Sequence, residues 1–112
     1  MYRRLFERYF GCTVTEADDG PDGLRLIAET HPDLAVLDVE LPSMSGTELL
    51  ETIRATPDIA DTPCIVVTSA NQRPTIERLI AGNVLLILLK PVDLSRDVPR
   101  IESVFARLKA RS

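Results

Sequence analysis

Three short apolar runs in this sequence each stop at a residue able to do acid, hydroxyl or amine chemistry. Leu34-Ala35-Val36-Leu37 stops at Asp38, Cys64-Ile65-Val66-Val67 stops at Thr68 with Ser69 behind it, and the run 84–89 stops at Lys90-Pro91. A carboxylate can act as a nucleophile and take up a phosphoryl group as an aspartyl phosphate. The transferred group spreads negative charge over its equatorial oxygens, which cations and hydrogen-bond donors stabilise. Asp38 therefore reads as the nucleophile, Lys90 as the cation, Thr68 as a hydroxyl donor and Ser69 as a small phosphate-binding neighbour. The set is specific only in combination. Singly, an aspartate at a strand end is a common turn former or cap, and a lysine there is commonly just solvated.

Runs that are apolar on both faces are what a buried parallel sheet requires. Helical stripes lie between them. Tyr2, Leu5, Phe6 and Tyr9 repeat at helical spacing until Gly11, a β-branched strand follows over 12–17, and Asp19-Gly20-Pro21 turns the chain into a helix near 22–29. Ser45 and Gly46 open the next helix, with Leu49, Leu50 and Ile53 inward and Glu48, Glu51 and Arg54 outward. After a loop over 57–63, Ile76, Leu79 and Ile80 mark another helix, and Ile101, Val104, Phe105 and Leu108 mark the last. This alternation predicts a doubly wound α/β fold with parallel strands near 12–17, 33–38, 63–68 and 84–89. Ligands of such sheets bind beyond the carboxyl ends of the strands. With neighbouring strands about 4.8 Å apart, Asp38, Thr68, Ser69 and Lys90 can surround one small anion.

Composition narrows the function classes. The 112 residues make one domain over 1–112, with 45% hydrophobic and 27% charged residues, an ordinary globular balance. The net charge of −4 argues against a dedicated nucleic-acid binder. No apolar run has membrane-spanning length and residues 1–10 lack a signal-like stretch, so a cytoplasmic protein without membrane contact is expected. Cys12, Cys64 and His31 fall in no metal or redox spacing. No output domain is expected after the last helix.

The segment Asp38-Val39-Glu40-Leu41-Pro42-Ser43-Met44-Ser45-Gly46 resembles the stretch around the phosphorylated aspartate of response-regulator receiver domains. Thr68 thirty residues later, Lys90-Pro91 fifty-two residues later, and Glu16-Ala17-Asp18-Asp19-Gly20 as second strand and turn fit the same family. The resemblance implies a flavodoxin-like sheet of order 2-1-3-4-5 and phosphorylation of Asp38 by a histidine kinase or phosphotransfer protein. It implies no turnover enzyme, but a phosphoacceptor in a two-component phosphorelay. It also implies magnesium, with Asp38 and the backbone carbonyl of Glu40 as ligands. The Glu40 side chain would stand where the family tunes dephosphorylation, the bond before Pro91 would be cis, and the 73–109 face would meet partners or a second copy in a homodimer.

The sequence departs from the family at two places. The family's first strand, ending in an acidic pair that holds the metal, would fall before Met1, so the chain reads as a receiver lacking that strand. Asp18 and Asp19 are best read as turn residues; if strand 12–17 paired directly with strand 34–37, one of them could substitute as a metal ligand. At the family's aromatic switch position stands Ile87. Other readings are a pseudo-receiver that binds partners without phosphorylation, an aspartyl-phosphate hydrolase, and a flavin-binding protein. Asp38-Val39-Glu40 in place of an Asp-x-Asp pattern speaks against the hydrolase, and the lack of a hydroxyl- and glycine-rich phosphate loop speaks against the flavin protein.

Overall fold

A computed structural model describes residues 6–8, 20–40, 45–69 and 72–111. Among the described residues, three parallel strands form a sheet in the order β1 (Ala35–Asp38), β2 (Cys64–Thr68), β3 (Leu86–Leu89). Besides residues 6–8, the described residues hold the helices α1 (Gly20–Thr30), α2 (Gly46–Ala55), α3 (Arg73–Ala81) and α4 (Leu94–Arg111). Residues 6–8, in the expected opening helix, are helical; the strand expected over 12–17 lies outside the described residues. The fold is the expected α/β arrangement, and its three strands follow the order 3-4-5 of the flavodoxin-like sheet.

The central strand explains the unbroken apolar run of Cys64–Thr68. All five of its residues are buried, Cys64 and Val66 toward one face and Ile65 and Val67 toward the other. On the first face they meet Ile27 of α1, Leu49, Leu50 and Ile53 of α2, and Leu79 of α3. On the second they meet Phe6, and Ile101 and Val104 of α4. Helices thus cover both faces, as a parallel sheet demands. Among the described residues, no helix is long and apolar enough to cross a membrane.

Two elements differ from the sequence expectation. Arg54 does not point simply outward. Its guanidinium donates to the carbonyls of Gly82 (2.7 Å), Ala60 (2.9 Å) and Thr62 (2.7 Å), tying α2 to the turns that lead into β2 and β3. Helix α4 begins seven residues before the first apolar residue of its stripe. Asp93 caps it: its Oδ1 accepts the Arg96 N–H at 2.9 Å, and Asp97 Oδ2 accepts the Asp93 N–H at 2.9 Å. This reciprocal pattern satisfies N–H groups that a helix start leaves without partners.

Candidate functional site

Asp38 ends β1, Thr68 ends β2, and Lys90 directly follows β3. Asp38 lies opposite Val67 and Thr68 opposite Leu89, so the strand ends finish side by side. The Lys90 N–H donates to the Thr68 carbonyl at 2.9 Å, carrying the β2–β3 ladder one residue further. That fixes the base of the lysine beside the aspartate. The Lys90–Pro91 peptide bond is cis.

Lys90 Nζ lies 3.0 Å from Asp38 Oδ1 and 3.1 Å from Oδ2. Oδ1 also accepts the Glu40 N–H at 2.9 Å, so it carries two donors where Oδ2 has the lysine. The Asp38 side chain is 18% exposed, covered on most sides but open to a small reactant. A backbone contact closes the site from below. The Gly46 N–H donates to the Val39 carbonyl at 3.0 Å. A Cβ on Gly46 would stand 2.7 Å from the Asp38 carbonyl oxygen and 2.7 Å from Val39 Cα, so only glycine lets the start of α2 pass this close. Ser45, the N-cap of α2, accepts the Glu48 N–H and fixes that start.

The Glu40 side chain joins the cluster. Its Oε1 accepts the Ser69 N–H at 2.8 Å and the Ser69 hydroxyl, and its Oε2 lies 3.2 Å from Lys90 Nζ. Partial burial works against the charge of Glu40, yet the hydrogen bonds from Ser69, with help from Lys90, hold its carboxyl down at about 2. Burial likewise opposes the Lys90 charge, and hydrogen bonds to Asp38 and Glu40 outweigh it, so its pKa is raised.

Asp38, Lys90 and Ser69 are therefore in one contact network, with Thr68 fully buried at the same edge. Ile87 sits in β3, packed against the core on the α2 and α3 face, with its carbonyl accepting from Arg100 at 3.2 Å. Residues 41–44, and Asp18 and Asp19, lie outside the described residues. Sequence reasoning assigned Glu40 a carbonyl ligand and a tuning position, and missed its contacts to Ser69 and Lys90. It passed over Asp97, a fully buried carboxylate bound by Arg96 (2.7 Å) and Arg100 (3.1 Å). The signal for it was there in Asp93-Leu94-Ser95-Arg96-Asp97, an acid at each end of a first helical turn.

For magnesium, the described residues offer the Asp38 carboxylate and the Glu40 carbonyl. Octahedral oxygen coordination needs more. No three acidic, histidine or cysteine side chains converge among the described residues, so these residues alone do not fit the ion.

Comparison with known proteins shows the family. The family model "Response regulator receiver domain" matches residues 1–102. The Regulator of RpoS from Escherichia coli is 37% identical over 96% of this chain and 32% of its own length. This chain thus spans about a third of that relative. The polar-differentiation response regulator DivK from Brucella ovis is 29% identical over 92% of this chain and 83% of its own. Among solved structures, the signal receiver domain of a putative Luxo repressor protein from Vibrio parahaemolyticus superposes with a TM-score of 0.83. It is 25% identical, covering 97% of this chain and 82% of that one. With strand-end Asp38 and Lys90 in contact and the family match running through both, this chain belongs to the response regulator receiver domains of two-component signalling.

Proposed function

We propose that this chain is a phosphoacceptor whose Asp38 takes a phosphoryl group from the phosphohistidine of a kinase or phosphotransfer protein. The observation that carries the reading is the Lys90 ammonium, 3.0 and 3.1 Å from the two Asp38 oxygens at the carboxyl edge of the sheet. An Asp38 oxygen attacks phosphorus, the O–P bond forms, and the histidine N–P bond breaks with its electron pair returning to the imidazole. Oδ2 is the better nucleophile, since Oδ1 is also held by the Glu40 N–H. Lys90 then neutralises charge on the phosphoryl oxygens, with Thr68 and Ser69 as neighbouring donors. The product signals by its state, without turnover. A cytoplasmic location belongs to the same reading, as does a magnesium ion for which Asp38 and the Glu40 carbonyl would supply only part of the oxygen ligands.

Incubation with phosphoramidate and magnesium should add one phosphoryl group, mapped to Asp38 by mass spectrometry. Asp38→Asn should abolish it. Labelling that persists in Asp38→Asn would show the nucleophile to be another residue. No labelling of the natural chain, by phosphoramidate or by a phosphorylated histidine partner, would favour the pseudo-receiver reading.

A further inference from the structure

Three donors meet on one carboxylate beside Asp38: the Ser69 N–H at 2.8 Å and the Ser69 hydroxyl on Glu40 Oε1, and Lys90 Nζ at 3.2 Å from Oε2. An ammonium, a backbone N–H and a hydroxyl together are what the oxygens of a phosphoryl group need. The lysine is the same one that touches both Asp38 oxygens. A phosphoryl group on Asp38 would therefore reach for donors that Glu40 already holds. We infer that the Glu40 side chain is a built-in stand-in for phosphate, occupying the anion subsite formed by Lys90 and Ser69 until a phosphoryl group on Asp38 displaces it.

A merely solvated surface glutamate would not be held this way. Glu40 joins two strand ends, at Ser69 and Lys90, and one of its donors is a backbone N–H that has no rotamer to turn away. Its side chain is nevertheless 38% exposed, so it can swing into water without opening the core. Two consequences follow. The need to displace Glu40 lowers the affinity of the subsite for other anions and slows phosphoryl uptake. Ser69 is already in its anion-bound position before phosphorylation, so the part that moves is the Glu40 side chain rather than the end of β2.

The inference rests on the phosphoacceptor reading of Asp38, and the two can fail separately. Inorganic phosphate is titrated into the natural chain, Glu40→Gln and Glu40→Ala, following the Ser69 amide by NMR. Glu48→Gln, which removes an equal charge from the exposed side of α2, serves as the control. Both Glu40 variants should bind phosphate at the Ser69 amide at least about tenfold more tightly than the natural chain and Glu48→Gln, since one competing charge-assisted contact is worth roughly a factor of ten. Equal affinity in all four proteins would overturn the inference. So would an equal gain in Glu48→Gln, which would reduce the effect to net charge. In parallel, phosphoramidate should label Asp38 faster in Glu40→Gln. If phosphate binding tightens as described and Asp38 is labelled in no variant, the anion subsite stands and the phosphoacceptor reading falls.

Discussion

On one side of the Lys90–Pro91 turn, Asp38 and Glu40 share the single ammonium of Lys90; on the other, Asp97 is bound by two guanidiniums, those of Arg96 and Arg100. The first cluster has one negative charge in excess and its side chains are 18 to 38% exposed. The second closes on a carboxylate with no exposure at all, which also accepts the Asp93 N–H. Both hold a carboxyl at about 2. The difference lies in what losing a charge would do. In the first cluster two acids compete for one cation, so an added phosphoryl group can rearrange the contacts. In the second every contact supports the others, and nothing is left to exchange. A buried carboxylate held by two cations anchors, while two partly exposed acids that share one cation are poised to react.

The sharpest break of this comparison is Asp97→Ala. It removes the acceptor of the Asp93 N–H at the start of α4 and frees Arg96 and Arg100, which also donate to the carbonyls of Leu89, Pro91 and Ile87. Stability should fall by about 3 kcal/mol in urea unfolding, from lost charged hydrogen bonds and the Asp93 N–H left without its acceptor. A loss under about 1 kcal/mol would mean that Asp97 is no anchor.

Acid offers a second test. Hydrogen bonds from Arg96, set against the cost of burial and aided by the Asp93 N–H and by Arg100, hold Asp97 at about 2, below its ordinary 3.8. The unfolded chain binds a proton here before the folded one does, so stability rises with pH across this window. It is fully present above pH 4 and lost as pH falls from about 4 to about 2, a change of about 2 kcal/mol. Glu40 is lowered in the same direction from 4.5. Being more exposed, it should add little. Urea midpoints between pH 2 and 6 should therefore flatten in Asp97→Asn and barely change in Glu40→Gln; the reverse would invert the roles of the two clusters.

Asp38→Asn should shift stability by less than about 1 kcal/mol, in either direction, since it relieves the competition for Lys90 at a partly exposed site. Lys90→Ala should cost about 1 kcal/mol, because it strands two neighbouring carboxylates that water can still reach. If Asp38→Asn cost as much as Asp97→Ala, the strand-end cluster would be part of the structural frame and the contrast would collapse.

The strands were legible because burial on both faces forces unbroken apolar runs, and the residues that end those runs mark the site. Asp38 and Lys90 could be read this way, as could the α/β alternation. The register that sets Asp38 opposite Val67 could not, since it is written in backbone hydrogen bonds rather than in side-chain types. Glu40 was read for its carbonyl because its side-chain partner, Ser69, is 29 residues away and adjacent only after folding. The start of α4 was missed for another reason: apolar periodicity begins at Ile101, whereas Leu94–Arg100 is held by capping and charge. Arg54 looked outward on its helix because a long side chain can leave an outer position and still reach three carbonyls.

The smallest effect separates anchoring from mere edge cover. Arg96, Arg100 and Arg107 lie on one stripe of α4 and donate to the carbonyls of Leu89, Ile87 and Leu85, each at 3.2 Å. These are alternate residues, Ile87 and Leu89 in β3 and Leu85 just before it, so the arginines occupy acceptors that an added strand would use. Arg96 and Arg100 are also bound to Asp97, while Arg107 lies too far along the helix to share that carboxylate. If the energy resides in the Asp97 cluster, Arg107→Ala should cost only about 0.5 kcal/mol, the worth of an exposed hydrogen bond whose acceptor can turn to water. A cost near 2 kcal/mol in urea unfolding would place the stabilisation in the edge cover itself. Asp97 would then serve chiefly to aim two of its three arginines.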